Sequence, residues 1–171
     1  LINNAGIMIN QEFNTVDLKE ATKLMRINCD AYAILCNLVL RQKINERINI
    51  INISSSSSFS PIPKMSLYTA SKAFINQFTL SLIAENNSDK VNISLVIPGG
   101  MNTGFQKKFL IKERKGLLNV SYVAEKIIKN LHNSKKILFI GSSSYILYLI
   151  QKMTDFSLNI KLTKLLAKRF L

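Results

Sequence analysis

The sequence predicts an α/β fold: a doubly wound parallel sheet with helices on both faces. Short apolar, mostly β-branched runs at Arg47 to Ile53, Val91 to Ile97 and Lys136 to Ile140 read as buried parallel strands. Stretches with helical periodicity lie between them and are long enough for crossovers. Each of the first runs stops at a loop of small, polar or turn-forming residues: Ser54 to Ser58, and Pro98 to Thr103. Leu1-Ile2, broken by Asn3-Asn4-Ala5-Gly6, adds the end of one more strand. Crossovers in such sheets are right-handed, and ligands bind beyond the carboxyl ends of the strands. Three candidate site loops therefore fall on one edge.

In chain order, residues 7–16 read as loop. Asp17 caps a helix, with Glu20 placed as in a capping box. Leu18, Ala21, Leu24, Met25, Asn28, Tyr32, Leu35 and Val39 then recur at helical spacing, which predicts one helix to about residue 40. The strand at 47–53 leads into the serine run, and a second helix is expected from Ser66 to Glu85. Asn86 to Asp89 is a turn before the strand that Pro98-Gly99-Gly100 stops. Residues 105–117 are basic and irregular; Ser121 is the expected cap of a helix to about Leu131. Tyr145 to Leu171 reads as one long basic amphipathic stretch, which sets a division into residues 1–144 and a helical tail, 145–171.

The chain has 171 residues and a formal net charge of +13, from 23 Lys+Arg against 10 Asp+Glu. That balance suits an anion, a nucleotide phosphate, nucleic acid or an acidic membrane surface, and it equally suits a coding bias toward Lys, Asn and Ile. The basic residues lack the interleaved aromatics of single-strand binders, so no nucleic-acid partner is expected. Cys29 and Cys36 lie seven apart on one helix face, too far for a disulfide. Two cysteines and one histidine form no metal pattern. They fit a reducing cytosol and a packing role, and the first residues carry no signal-peptide pattern.

The chemistry centres on Tyr68-Thr69-Ala70-Ser71-Lys72. On a helix, Tyr68 and Lys72 lie one turn apart on one side. A free phenol, with a pKa near about 10, is a poor base at neutral pH, and a nearby ammonium favours the phenolate. The pair is thus a candidate proton-transfer unit. Ser55, thirteen residues before Tyr68, sits past a strand end, where a hydroxyl reaches a substrate carbonyl oxygen. Ser54 and Ser56 compete with it. Asn28 is either part of the relay or a buried amide satisfying backbone groups, and Thr103 is also readable as a helix cap.

The order Asn-Asn-Ala-Gly, helix Asn, strand-end Ser, Tyr-x-x-x-Lys and Pro-Gly-x-x-x-Thr resembles the short-chain dehydrogenase/reductase family over residues 1–105. The resemblance implies a Rossmann-like sheet and reversible hydride transfer between a nicotinamide cofactor and a carbonyl or alcohol. It implies that Tyr68 is the proton donor and acceptor, and that Lys72 holds the nicotinamide ribose and lowers the Tyr68 pKa. Ser55 then polarises the substrate oxygen, and Asn28 anchors a water that links Lys72 to solvent. Asn4, Ala5 and Gly6 shape the adenosine side of the cofactor groove; Pro98, Gly99 and Thr103 line the nicotinamide end. The cofactor is NAD or NADP, with NADP slightly favoured.

Family members open with Thr-Gly-x-x-x-Gly-x-Gly, whose backbone meets the pyrophosphate, and no such run occurs here. By that comparison the first βαβαβ half is missing. The residues present are then expected to bind dinucleotide weakly by themselves, with one raw sheet edge. Lys161, Lys164 and Lys168, interleaved with Leu158, Ile160, Leu162, Leu165, Leu166 and Phe170, suggest an interfacial helix; a cover for the substrate pocket or a subunit contact is the competing reading. The apolar segment from Phe105 to Leu118 points to a hydrophobic substrate. The expected protein is a cytoplasmic reductase, homo-oligomeric through residues 18–40 and 66–85, with a possible peripheral membrane contact. The rivals are an idle truncated remnant that only binds or supports, and a basic peripheral membrane-surface protein.

Overall fold

In the computed structural model, residues 1–42, 45–104 and 116–170 are described here, without the side chains of 166–170. Four parallel strands form one sheet in the order β1 (Ile2–Asn3), β2 (Ile48–Ile53), β3 (Val91–Pro98), β4 (Ile137–Ile140). Ile2 pairs with Ile51, Ile48 with Val91 and Leu95 with Ile137. The strands sit where the β-branched runs predicted them, within a residue at most boundaries.

Side-chain alternation divides the core between two faces. On one, Ile50, Ile93, Leu95 and Ile97 meet helices α2 (Ala31–Leu40) and α3 (Ser66–Glu85) through Tyr32, Cys36, Ile75 and Phe78. On the other, Ile51, Ile53, Val96 and Ile140 meet α4 (Val120–Asn133) through Val123 and Ile127. β3 is buried along its whole length, as a central parallel strand must be. Each fully buried Ile or Leu contributes about 2 kcal/mol, taken against an extended chain. Polar residues on the strands are paired internally: Asn52 Oδ1 accepts from Asn3 Nδ2 at 2.8 Å, and Asn52 Nδ2 donates to Thr79 Oγ1 at 3.0 Å. Cys29 and Cys36 are free and buried, as expected.

Several sequence expectations need correction. Asp17 caps α1 (Leu18–Met25) by accepting from the amides of Lys19 and Glu20. The expected single helix is then interrupted by a π-helical turn, Arg26–Asp30, before α2. The buried side chains of that wider turn are Asn28 and Cys29. α4 is capped by Asn119, whose side chain accepts from Ser121 N, so Ser121 is the capped residue and not the cap. The tail is two helices, α5 (Ser142–Met153) and α6 (Phe156–Phe170), with a break at Thr154-Asp155. Gly141 turns β4 into α5 at φ 89°, and a methyl group there would meet Leu118 at 2.9 Å, so glycine is required. The apolar segment expected from Phe105 onward lies outside the described residues up to 115.

Candidate active site

The carboxyl ends of β1, β2 and β3 open on one edge of the sheet, because all four strands run parallel. Ser55 follows β2 in an extended backbone conformation (φ −162°, ψ 153°) and leads into a 3-10 turn, Ser56–Phe59. Its hydroxyl oxygen accepts from Ser57 N at 3.2 Å and from Ser57 Oγ at 2.9 Å. Ser58 Oγ donates to the Ser55 carbonyl at 2.6 Å and accepts from Asn76 Nδ2 at 2.8 Å. Ser54 is buried elsewhere, donating to the Lys72 carbonyl at 3.0 Å, which ties the strand end to α3.

Tyr68 and Lys72 occupy successive turns of α3 and face this serine loop. The Tyr68 ring packs against Met8 and Met65, with Ile62 beside them. Its hydroxyl hydrogen-bonds to Ser55 and Ser57. Lys72 is 5% exposed. Its ammonium lies 5.9 Å from the Tyr68 ring centroid and 5.8 Å from that of Tyr32. It donates to the Ile53 carbonyl at 3.1 Å, an oxygen that also accepts from Tyr32 Oη at 3.1 Å. Burial pushes the Lys72 pKa down to about 8, with Cys29 opposing the change, so the ammonium stays mostly charged at neutral pH.

Tyr68 does not behave as the pairing with Lys72 suggested. Burial holds its phenol above the ordinary value, and the opposing influences are the Ser55 and Ser57 hydrogen bonds. Tyr32 is raised by burial as well, with Tyr68 as the next contributor.

Asn28 Oδ1 accepts from Ile7 N and Asn28 Nδ2 donates to Ile7 O, both at 2.9 Å; Nδ2 also reaches Ser71 Oγ at 3.0 Å. The amide therefore clamps the loop after β1 to α3. Gly6 lies within that clamp: a methyl group there would be 3.4 Å from Asn28 Oδ1 and 3.7 Å from Lys72 Nζ. Asn4 and Ala5 are exposed on the approach. Gly99 N donates to the Ile140 carbonyl at 2.9 Å, and a Cβ on Gly99 would collide with Ser143 Oγ at 2.6 Å. Thr103 N donates to Met101 O at 3.0 Å. Among the described residues no hydrogen bond joins Pro98, Gly99 or Thr103 to Lys72 or Ser55.

The structure thus brings together Tyr68, Lys72, Ser55, Asn28 and Gly6, with Pro98, Gly99 and Thr103 at the end of the neighbouring strand. Sequence reasoning missed Tyr32 and Ser57. Tyr32 was read as one more apolar position in a helical repeat, and Ser57 is one of five identical residues, so neither carried a signal of its own. Among the described residues no group of His, Cys, Asp and Glu is placed to hold a metal.

The ammonium provides a test of cofactor fit. Of its three donors, one is directed to a protein acceptor among the described residues. The others suit vicinal ribose hydroxyls, and the side-chain-free corner at Gly6 leaves the approach open.

Residues 1–114 match the family model for short chain dehydrogenases. The chain is 41% identical over 100 residues to 11-beta-hydroxysteroid dehydrogenase A of Sesamum indicum, covering 58% of this chain and 28% of that protein. It is 31% identical over 154 residues to 17-beta-hydroxysteroid dehydrogenase type 3 of Danio rerio, covering 85% and 46%. Its fold is that of a short chain dehydrogenase from Burkholderia cenocepacia solved with NADP, at a TM-score of 0.81 and 21% identity, over 95% of this chain and 67% of that one. The chain therefore spans less than half the length of these two curated relatives. With the family model matched across two thirds of the sequence and the sheet superimposing on a solved member, the chain belongs to the short-chain dehydrogenase family.

Proposed function

We propose that the protein is an NAD(P)-dependent oxidoreductase that moves hydride between a nicotinamide cofactor and a hydrophobic carbonyl or alcohol. The observation that carries this reading is the Tyr68 hydroxyl, bonded to Ser55 and Ser57, one helical turn from a buried ammonium with donors to spare. Lys72 and Gly6, with Pro98, Gly99 and Thr103 at the nicotinamide end, are the residues that would hold the cofactor, and Asn4 and Ala5 line its approach. When bound, the reduced cofactor supplies the hydride.

The chain's own residues supply the rest. Ser55 donates to the carbonyl oxygen as negative charge gathers there. Tyr68 gives that oxygen its proton in reduction and takes it back in oxidation. Lys72 keeps a positive charge close to the phenol, which favours loss of its proton. Asn28 holds the loop after β1 in register with α3, and from there would anchor a water that links Lys72 to solvent. Met8, Met65 and Ile62 give the phenol an apolar wall, which suits a hydrophobic substrate. The steroid names of the two relatives agree with that class. The nucleotide is NAD or NADP, with NADP the slightly favoured choice; solved proteins of this fold hold either one. Homo-oligomers would use the exposed apolar side chains of α2 and α3, Ile34, Leu38 and Phe74 among them.

The test is turnover of a panel of hydrophobic ketones with NADPH and NADH by the protein at its natural length. Wild type should consume reduced nicotinamide, and Tyr68→Phe should lose about a hundredfold or more of that rate. Equal turnover by both proteins would refute the assignment of Tyr68. Absence of turnover in wild type with every pair would favour the reading as an idle remnant.

The location of the protein follows as a second proposal: cytosolic, with contact to a membrane surface through the tail. No helix among the described residues is long and apolar enough to cross a membrane. Among the described side chains of α6 the buried ones are polar, Asn159 at 8% exposure and Thr163 at 7%, while Leu158 (45%) and Leu165 (62%) face outward near Lys161 and Lys164. An amphipathic helix with its apolar residues turned out suits an anionic interface.

A further inference from the structure

Ser55 carries more of its local structure on its hydroxyl oxygen than a strand-end serine requires. That oxygen accepts twice from one residue, from the Ser57 amide at 3.2 Å and the Ser57 hydroxyl at 2.9 Å. A serine hydroxyl has two acceptor positions and one proton. With both acceptor positions occupied from the Ser57 side, the proton is the only bonding function left, and it must point away from Ser57.

Resting on the oxidoreductase reading above, we infer that Ser57 is a positioning residue that turns Ser55 into an obligate hydrogen-bond donor beside the Tyr68 oxygen. The loop is built to keep this arrangement. Ser58 N and Ser58 Oγ both donate to the Ser55 carbonyl, at 3.1 and 2.6 Å. Asn76, one turn beyond Lys72 on α3, fixes Ser58 through a 2.8 Å bond. Ser60 N donates to the Ser57 carbonyl at 3.2 Å. The single proton of the Ser57 hydroxyl is committed to Ser55, so Ser57 acts on the Tyr68 oxygen through the Ser55 proton that it orients. Without Ser57 Oγ the Ser55 proton is free to turn inward.

The experiment compares Ser57→Ala and Ser57→Thr with wild type, using a hydrophobic aryl ketone and its alcohol as probes with NADPH and NADP. Ser57→Ala should lower kcat about fivefold, the effect of one lost hydrogen bond, and leave the KM for nucleotide unchanged. In oxidation Tyr68 acts as a base, so activity rises with pH through its ionisation. Once the Ser55 proton is no longer held toward Tyr68, the phenolate loses a fixed donor and that limb moves to higher pH. Ser57→Thr, which restores the hydroxyl, should recover both kcat and the pH profile. The ultraviolet titration of Tyr68, taken as the difference between each protein and the same protein carrying Tyr68→Phe, reads the same change without a substrate. An alanine variant with wild-type kcat and an unmoved Tyr68 titration overturns the proposal, as does a threonine variant that fails to restore them. If Tyr68→Phe keeps full activity, the reading of the reaction itself fails; if only Ser57→Ala is silent, that reading stands and the role of Ser57 falls.

Discussion

At neutral pH the Lys72 ammonium is charged in a place that water barely reaches, and the fold carries that burden. Its displacement from 10.5 to about 8 corresponds to about 3 kcal/mol, at about 1.4 kcal/mol per pH unit. Lys72→Met removes the charge and keeps the aliphatic stem. It also removes a hydrogen bond of about 1 kcal/mol, but the Ile53 carbonyl is not orphaned, because Tyr32 Oη still donates to it. The variant should therefore be more stable than wild type by about 2 kcal/mol at pH 7 while losing activity. The sign follows from linkage. The folded-state pKa is lowered, so the unfolded chain holds the extra proton between about pH 8 and 10.5, and wild type gains stability as pH rises through that window. The advantage of the variant, about 2 kcal/mol at pH 7, should therefore be lost by about pH 10. The thiols and phenols raised by burial change both proteins in the opposite sense and largely cancel in the difference. Urea denaturation followed by circular dichroism at a series of pH values measures this. A variant less stable than wild type at pH 7, or an advantage independent of pH, would refute the reasoning.

Two further outcomes are expected. Asn52→Ala leaves the buried amide of Asn3 without its 2.8 Å acceptor and opens a void beside Thr79 and Cys36; it should lower stability by about 2–3 kcal/mol, and a loss below about 1 kcal/mol in the same urea assay would contradict the pairing. For the tail, co-sedimentation should be strong with phosphatidylserine-containing vesicles and weak with neutral ones, and both Leu165→Ser and the pair Lys161→Glu, Lys164→Glu should reduce it. Binding that ignores lipid charge would remove the electrostatic part of that reading, and no binding would remove all of it.

What the sequence showed depended on whether the residues spoke for themselves. The strand at Ile48–Ile53 and the helix at Ser66–Glu85 were legible because each is bounded by turn residues and has one dominant periodicity. The Tyr68–Lys72 pair was legible from helical spacing, and its grouping with Ser55 from the ordered motifs that resemble the family, since Ser54 and Ser56 sit equally at the strand end. The π turn at Arg26–Asp30 was not: an extra residue in a helix leaves the apolar pattern on either side intact and changes only the phase between them. Asn119 lost to Ser121 as the expected cap because both residue types cap well and lie two apart. The break between α5 and α6 did carry a local signal, Thr154-Asp155, whose aspartate accepts from Leu158 N at 2.7 Å, but apolar residues recur on both sides of it and the two helices read as one stretch. The rise in the Tyr68 pKa was invisible because burial is a tertiary property, whereas the Lys72 spacing is local.

The meeting point of Tyr32 and Lys72 is a main-chain oxygen, that of Ile53. Every residue type supplies the same carbonyl, so no point substitution at position 53 can delete the acceptor on which the ammonium rests. Side-chain changes there alter packing against Val96 and Val123 and leave the anchor in place. The exposure lies elsewhere. A single-residue insertion or deletion in β2 would slide the carbonyl out of reach of both donors at once, and would disable the site while every catalytic side chain remained in the sequence. At position 53 of β2, replacement leaves the anchor in place and a change of length removes it, a pattern that natural variants of the chain can be read against.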